Sequence, residues 1–448
     1  MSAGNSLERS QRFARHIAIL QHRYEQALAA CKADSVQILA GLPTMRERDD
    51  QPYPFRADPY FLQWLPLPDA AGSVIEFSPG NRPQLLFACE QDFWHAPAQL
   101  PPDDMLEHFD VSQMPAADIA RRVDTPAQAT ITLGKSTGRP TSASEPNGEG
   151  DRESALIEFL DFDRAIKTEY EIECIEIASA AAARGHLAVA DALTQGRSEF
   201  ELHVAYCAAA AQSDIDLPYT SIVALNEHAA VLHYQHHETS APESLRTLLI
   251  DAGAQHNGYA ADVTRTYGFG DAQFIELIAR MDELQQYVCA QVFEGADFVA
   301  LNELTHQLIA AVLEEFDLIT CTCETALEKG ATRVFLPHGL GHLLGLQVHD
   351  VGGHASDRSG NRREPPSQHP FLRLTRKLAS DMIVTIEPGL YFIEALIERF
   401  DRETPGLLRR ETIERLTPYG GIRIEDDVRV KSRGHDNLTR AALGAQGF

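Results

Sequence analysis

Short apolar stretches separated by polar or helical segments run through the first third of the chain. They read SVQILAGL, SVIEF, PQLLFACE and ATITLG. Apolar runs of about four to eight residues that are bounded by turn residues are typical of buried strands. Because helical material lies between these stretches, the pattern predicts a small α/β domain over residues 1–155.

A stretch without apolar periodicity follows this first domain. Residues 139–153, RPTSASEPNGEGDRE, combine Pro, Gly, Ser and charge. This composition is typical of a connection between domains. We interpret it as the seam before a C-terminal domain over residues 156–448.

Helix and strand signals alternate in the C-terminal part. Capping-box spacing predicts two helix starts, at Thr168 with Glu171 and at Ser198 with Glu201. TLLIDAGA and YAADVTRTYGF predict a hairpin with an Asn-Gly turn at 257–258. Further predicted elements are the strands VFLP, MIVTIEPG and GGIRIEDDVRV, helices over 273–293 and 302–316, and an exposed helix or loop over 394–418. Together they predict an α+β domain.

The charge balance excludes two classes of partner. The chain has 39 Lys and Arg against 65 Asp and Glu, a net charge of −26, so phosphate backbones and anionic membranes would be repelled over most of its surface. No run approaches the roughly 20 apolar residues that cross a bilayer, and the N-terminus is charged where a secretory signal is apolar. The seven scattered cysteines, including the close pair Cys321 and Cys323, are interpreted as reduced structural thiols. We expect a cytoplasmic protein that binds neither nucleic acid nor membranes.

The predicted hairpin brings two carboxylates together. With the turn at 257–258, Asp251 faces Thr264 and lies diagonal to Asp262, within about 7–8 Å on the same face. A single Asp at a strand end is typical of a turn or cap. Two buried like charges repel unless a cation lies between them or one is protonated. The pair therefore predicts a site for one or two divalent cations.

Three histidines occur in the Gly-rich segment PHGLGHLLGLQVHD, at His338, His342 and His349. The spacing of four between the first two would suit a zinc-protease helix, but the glycines and the proline argue against a helix, and the expected Glu is missing. The glycines also imitate a dinucleotide fingerprint without its βαβ context. We expect one His to bind a metal and the others to line the substrate space.

Two further glutamates close apolar strand-like stretches. Glu387 lies in TIEPG, and Glu425 lies in GIRIEDD two residues after Arg423, on the same strand face. Alone, this would be a strand-end ion pair. Four carboxylates with one imidazole form a hard, oxygen-rich ligand set that suits Mn²⁺ or a similar ion. Two such ions about 3.5–4 Å apart activate a bridging water and polarise a carbonyl.

These segments carry a family resemblance. LIDAGAQHNGYAADVTRTY, PHGLGHLLGLQVHDVGG, TIEPGLYF and GGIRIEDD resemble the metal-binding segments of the proline-specific peptidases with the creatinase or pita-bread fold. The likeness is strongest to the bacterial Xaa-Pro dipeptidases (prolidases), whose relatives include the organophosphorus acid anhydrolases. It implies a C-terminal pita-bread catalytic domain with two divalent ions, Mn²⁺ with Co²⁺ or Zn²⁺ as alternatives. By this resemblance Asp251 holds one ion, Asp262 and Glu425 bridge both, and His342 with Glu387 holds the second.

The same resemblance assigns further residues to the substrate. It places His233, His338 and His349 in the substrate cleft, Tyr219 against the pocket, Arg423 on the substrate carboxylate, and Glu387 as the proton relay. The segments YPF at 53–55 and DFWH at 92–95 resemble parts of the N-terminal domain that, in these prolidases, close the active site of the partner subunit. A homodimer follows, with Asp50 on the substrate's α-amino group and Trp94 in the closing segment; the alternative is that the aromatics are simply core residues.

The implied reaction is metal-dependent hydrolysis of the imide bond of Xaa-Pro dipeptides. An aminopeptidase P, which accepts longer peptides, is the nearest alternative. Cleavage of phosphotriesters is expected as a side activity, because the same nucleophile attacks P=O as well as C=O. A non-catalytic binding module of the same fold, or a metal-free creatinase-type hydrolase, is disfavoured because all five predicted ligands are present.

Overall fold

The structure is a computed structural model that describes residues 3–89, 93, 94, 96, 98–126, 129–134 and 149–446. The chain divides into two units. Unit 1 comprises Met1–Glu173 with Ala355–Arg362, and unit 2 comprises Cys174–His354 with Arg363–Phe448. Residues 139–148 of the predicted seam and residues 92 and 95 of the DFWH segment lie outside the described residues. The predicted boundary after residue 155 stays a prediction.

Unit 1 is an α/β unit, as predicted. Its helices are α1 (Ala3–Cys31), α2 (Pro59–Trp64), α3 (Asp103–Leu106), α4 (Ala116–Val123) and α5 (Glu149–Arg164). Its strands are β1 (Ser35–Leu39), β2 (Val74–Phe77), β3 (Gln84–Ala88), β4 (Asp110–Met114) and β5 (Thr130–Leu133). They form one mixed sheet in the order β4-β3-β2-β1-β5. Four of these strands are the four predicted apolar stretches, whereas the polar sequence of β4 gave no signal.

Unit 2 and the segment leading into it alternate helices with antiparallel strands. The helices are α6 (Glu169–Leu193), α7 (Glu199–Ala210), α8 (Ala272–Cys289), α9 (Phe298–Glu315), α10 (Cys323–Lys329), α11 (Thr332–Phe335), α12 (Glu394–Glu403), α13 (Arg410–Leu416) and α14 (Leu438–Ala445). Both predicted capping boxes are formed, at the starts of α6 and α7. None of the helices in the described part of the chain combines the length and apolar character needed to cross a membrane.

The strands of unit 2 form small antiparallel sheets. They are β6 (Ile222–Leu225), β7 (Thr247–Asp251), β8 (Gln255–His256), β9 (Tyr259–Ala260), β10 (Thr264–Gly268), β11 (Ile383–Ile386), β12 (Gly389–Tyr391), β13 (Gly421–Arg423), β14 (Asp426–Val430) and β15 (His435–Asn437). The sheet orders are β10-β7-β6 and β11-β14-β15, with the pairs β12-β13 and β8-β9. The predicted strand VFLP is wrong, because this segment ends helix α11. A short apolar run does not by itself distinguish a strand from a buried helix.

The predicted hairpin has the expected register. Asp251 pairs with Thr264, and Asn257 and Gly258 have φ of 52° and 86°. Two consecutive positive φ values define the type I′ turn that matches the twist of a hairpin. The ladder is interrupted around Asp262, whose backbone N–H donates to the buried Asp427 carboxylate at 3.1 Å. Asp262 therefore lies between the paired residues of β9 and β10.

A buried glutamate anchors the segment that carries His233. Glu199, the first residue of α7, is 1% exposed. One carboxylate oxygen accepts from the Leu225 N–H at 2.9 Å and from His228 Nδ1 at 2.7 Å. The other accepts from the Tyr234 hydroxyl at 2.7 Å and from a backbone N–H at residue 238 at 2.9 Å. One side chain thus fixes both ends of the segment over residues 226–238.

Replacing Glu199 tests how much it contributes to the stability of the fold. We expect Glu199→Ala to lower the free energy of unfolding by about 3 kcal/mol or more, because one buried and three half-buried hydrogen bonds lose their acceptor and a buried donor left without one costs about 1–3 kcal/mol. Urea denaturation measures the loss. Glu227→Ala, at an exposed position of the same segment, should stay within about 0.5 kcal/mol of the parent. Equal losses in the two variants would contradict the anchor.

Candidate metal centre

Five side chains from distant parts of unit 2 converge. Asp251 ends β7, Asp262 lies between β9 and β10, His342 lies beside β11, and Glu387 and Glu425 follow β11 and β13. His342 Nε2 lies 3.5 Å from Asp262 Oδ2 and 3.6 Å from Glu387 Oε1. Ligand atoms of Asp262, His342 and Glu425 all lie within 4.8 Å of one another. The structure thus brings the predicted ligands together, and their role in metal binding stays a prediction.

The backbone of β11 explains the glycine before His342. A Cβ on Gly341 would lie 2.0 Å from the Thr385 carbonyl oxygen, so a side chain there cannot be accommodated. The close approach lets the His342 N–H donate to Thr385 Oγ1 at 3.0 Å, while the Thr385 N–H donates to the His342 carbonyl at 2.9 Å. His342 Nδ1 donates to the Leu343 carbonyl at 3.0 Å. This bond leaves Nε2 as the ring atom that faces the carboxylates.

Glu425 is attached to the hairpin by two bonds to one residue. Its backbone N–H donates to the Thr264 carbonyl at 3.1 Å, and Thr264 Oγ1 donates to Glu425 Oε2 at 2.6 Å. Thr264 is also the register partner of Asp251. One threonine therefore links carboxylates that lie more than 170 residues apart in the sequence, a link that no local sequence pattern indicates.

The pKa shifts of the carboxylates indicate that the nearby positive charge does not fully compensate their negative charge. Burial raises the pKa of Asp251 to about 6 and that of Glu387 to about 7. Burial and then Asp262 raise the pKa of Glu425 well above its usual range. Burial also opposes ionisation of Asp262, but hydrogen bonding and charge from His342 outweigh it and lower the Asp262 pKa. In return, Asp262 and Glu387 raise the His342 pKa although burial opposes this.

The hydrogen bonds of Tyr219 also indicate that the carboxylates need more positive charge or more protons. Its hydroxyl lies 2.7 Å from Asp251 Oδ1 and 2.6 Å from Asp262 Oδ1. A hydroxyl has one proton and cannot donate to two carboxylates. The contact to which the hydroxyl does not donate therefore needs a second proton, or a cation in addition to Arg423, which binds Asp251. The hard oxygen ligands and the single imidazole nitrogen fit divalent metal ions.

A chain of hydrogen bonds runs from Asp251 to His338. Arg423, 4% exposed, binds Asp251 Oδ2 through Nη2 at 2.7 Å and donates from Nη1 to the Tyr391 hydroxyl at 2.9 Å. Tyr391 in turn lies 2.9 Å from His338 Nε2. Because His338 Nδ1 donates to the Gly339 carbonyl at 2.8 Å, Nε2 accepts from Tyr391. Tyr391 follows Glu387 in the segment TIEPGLYF, and no sequence pattern had indicated its role in this chain.

The remaining predicted site residues divide between the units. The His349 ring packs edge-on against His342 at 4.5 Å, and burial followed by the charge on His342 lowers the His349 pKa to about 4. Burial and Arg423 likewise lower the pKa of His338 to about 4, and His233 lowers both further. Asp50 and Trp94 are exposed residues of unit 1. Trp94 is 78% exposed, so it is not a core aromatic.

Carboxylates gathered around one imidazole on strand ends are typical of metal-dependent hydrolases. Comparison with known proteins identifies the family. The model of metallopeptidase family M24 matches residues 173–432, and that of the Xaa-Pro dipeptidase N-terminal domain matches residues 11–162. The chain belongs to metallopeptidase family M24.

Relatives match over nearly the whole chain. The Xaa-Pro dipeptidase of Stenotrophomonas maltophilia is 42% identical over 437 residues, 97% of each protein. That of Shewanella woodyi is 40% identical over 430 residues, 96% of this chain and 97% of the relative. The zinc-substituted aminopeptidase P of Escherichia coli in complex with product superposes with a TM-score of 0.71 at 20% identity, covering 97% of this chain and 98% of that one. This structural likeness confirms the predicted fold class.

Metal binding should depend on pH in a defined direction. Asp251 and Glu387 bind protons more tightly in the metal-free fold than in the unfolded chain, where their pKa values are 3.8 and 4.5. Protonation therefore stabilises the metal-free fold fully below those values. This stabilisation is lost as the pH rises through the folded-state pKa values of about 6 and about 7. Metal ions must displace those protons. We therefore expect the rise in unfolding temperature on adding Mn²⁺ to grow from about pH 5 to about pH 8, as measured by thermal denaturation. In Glu425→Gln, the Mn²⁺-induced rise in unfolding temperature should increase less between these pH values. If the rise in the parent protein does not depend on pH, the assignment of these carboxylates as metal ligands is contradicted.

Proposed function

We propose that this protein hydrolyses the bond before proline in Xaa-Pro dipeptides, releasing proline. The observation that carries the proposal is the convergence of five ligand-type side chains that are distant in the sequence. Relatives named Xaa-Pro dipeptidase that match nearly the full chain support the substrate class.

We further propose that the enzyme acts in the cytoplasm. The seven cysteines, all free thiols, support a reducing compartment.

Two divalent cations fit the centre. Asp251 would hold one, Asp262 and Glu425 would be shared, and His342 with Glu387 would hold the other. When bound, two such ions lower the pKa of a water and polarise the substrate carbonyl. We propose Mn²⁺ because oxygen ligands predominate, with Co²⁺ and Zn²⁺ as alternatives.

The protein's own side chains move the protons. A group that both accepts and donates a proton near neutral pH works best with a pKa near 7. Glu387 is proposed for this role because its carboxylate lies at the centre, 3.6 Å from His342 Nε2, where it can take a proton from the attacking water and pass it to the proline nitrogen. His233 or His349 would donate a hydrogen bond to the substrate carbonyl oxygen. His338 has both nitrogens engaged, so it would line and shape the cleft.

Specificity for proline needs no hydrogen-bond acceptor for an N–H. The imide nitrogen before proline carries no proton, so an apolar slot and one cation for the carboxylate are sufficient. Arg423 has five N–H groups, and three contacts to protein groups leave two for a carboxylate. Tyr219 would border this pocket. In a homodimer, Asp50 of unit 1 would bind the substrate's α-amino group and Trp94 would belong to the segment that closes the partner's site.

Removal of metal and of one ligand tests the activity. We expect chelation to abolish hydrolysis of Ala-Pro, and Mn²⁺, Co²⁺ or Zn²⁺ to restore it to different extents. Glu425→Gln, which removes one charge without changing shape, should reduce kcat/KM by about 100-fold or more in the Mn²⁺-restored enzyme. Undiminished activity in the chelated enzyme or in the variant would contradict the assignment.

Comparison of Ala-Pro with Ala-Pro-Ala separates the two peptidase classes. A dipeptidase prefers Ala-Pro, because the proline carboxylate binds a cation. Equal or faster cleavage of the tripeptide would favour an aminopeptidase P. Cleavage of phosphotriesters stays a prediction that the same preparation can check.

Loss of the Tyr391 hydroxyl should disturb His338 and Arg423 together. In Tyr391→Phe the ring is kept, but Arg423 Nη1 and His338 Nε2 lose their shared partner. We expect kcat for Ala-Pro to fall about 10- to 100-fold, the usual cost of losing a supporting hydrogen bond around a metal site, because the Arg423 that Tyr391 supports binds the predicted ligand Asp251. Tyr287→Phe, at an exposed tyrosine, is the matched control. Unchanged kinetics in Tyr391→Phe would show that the hydrogen-bond chain is dispensable.

A further inference from the structure

A second group of metal-ligand side chains lies on helix α7. His203 and Cys207 are four residues apart and share one helix face, and Asp214 lies in the turn after the helix. His203 Nε2 lies 2.7 Å from Asp214 Oδ1 and 3.6 Å from Cys207 Sγ, and Cys207 Sγ lies 4.0 Å from Asp214 Oδ1. None of the three belongs to the predicted catalytic ligand set.

These distances resemble those between ligands of a tetrahedral zinc ion. Bonds of about 2.0–2.1 Å to nitrogen or oxygen and about 2.3 Å to sulfur place neighbouring ligand atoms about 3.3–3.6 Å apart. The measured separations of 2.7, 3.6 and 4.0 Å lie on both sides of that range. Side-chain movements of about half an ångström would reach it. The Asp214 side chain is 79% exposed, so an ion can enter from solvent and keep a water as its fourth ligand.

The imidazole of His203 is held in place by its surroundings. Its side chain is 8% exposed, and the His237 ring stacks on it with centroids 4.4 Å apart. His237 Nε2 bonds to the Ser221 carbonyl at 3.0 Å, which fixes the stacking ring in turn. A fixed donor beside a thiol is the arrangement that a metal site requires. Burial and then Asp214 raise the pKa of the Cys207 thiol to about 11, so the thiol is not a reactive nucleophile.

We propose that His203, Cys207 and Asp214 bind one Zn²⁺ ion, separately from the catalytic centre. On binding, the Cys207 S–H bond breaks, its proton passes to solvent and a zinc–sulfur bond forms. The ion would join the last turns of α7 to the turn that follows it. Leu217, immediately beyond that turn, packs in the same apolar core as Leu202 and Tyr206 of α7. The site is therefore a structural clamp on α7, the helix whose first residue anchors the His233 segment.

Cobalt spectroscopy tests the site independently of catalysis. Co²⁺ added to the Mn²⁺-loaded enzyme should produce thiolate-to-metal charge-transfer absorption with a stoichiometry of about one per chain. The five predicted catalytic ligands contain no sulfur, so the band reports a cysteine ligand even if Co²⁺ also enters that centre. The band should disappear in Cys207→Ser and persist in the matched control Cys321→Ser. No band in the parent, or a band that survives Cys207→Ser, would overturn the proposal.

Thermal denaturation gives a second readout. Micromolar Zn²⁺ should raise the unfolding temperature of the Mn²⁺-loaded enzyme, because a ligand that binds the native state stabilises it. The rise should shrink by at least half in Asp214→Asn and remain in Asp216→Asn, an exposed aspartate of the same turn. Equal rises in both variants would overturn the role of Asp214. Because both readouts are spectroscopic or thermal, a failure of the proposed peptidase activity would leave them unchanged.

Discussion

The structure depends on keeping four carboxylates together in a largely buried volume. They belong to Asp251, Asp262, Glu387 and Glu425. Among the described residues that contact them, Arg423 and His342 supply at most two positive charges, because His338, 3.8 Å from Glu387, has a pKa lowered to about 4 by burial and is neutral. An uncompensated buried charge costs several kcal/mol, so protons or metal ions must supply the remainder. The metal-free fold is therefore a protonated state, and metal binding replaces protons by cations rather than filling a neutral cavity.

Strand geometry makes such a concentration of charge possible. Backbone ladders hold Asp251, Thr264 and Glu425 in fixed register, so the repulsion cannot be relieved by small backbone movements. A slip of one residue in the hairpin would turn Asp251 to the opposite face. The type I′ turn, far from the carboxylates, excludes that slip. Local turn chemistry thus fixes the position of Asp251, six residues away in the sequence.

The features that could be predicted from the sequence are those that depend on neighbouring residues, such as turns and strand periodicity. The Asn-Gly turn and strand periodicity were sufficient for the hairpin register. Together with Glu387 and Glu425, each at the end of an apolar stretch, they identified carboxylates that do converge. The sequence did not reveal Thr264, Tyr391 or Glu199 as supports, because their partners are brought near only by tertiary folding. Strand β4 was missed since its polar residues lack the apolar alternation on which strand prediction relies. Helix α11 was mistaken for a strand because its apolar run is too short to show a helical period.

The histidines beside the carboxylates must be uncharged if the centre is to bind cations. An imidazolium beside two divalent cations would repel them and would weaken their binding. Burial lowers the pKa values of His338 and His349 to about 4, aided by Arg423 in the first case and by His342 in the second. Both rings are therefore neutral at physiological pH before any metal binds. A neutral imidazole still offers one N–H and one lone pair, so the cleft keeps hydrogen-bonding groups without adding positive charge. The site is thus negative at its centre and uncharged at these histidines, which favours the binding of cations in the centre.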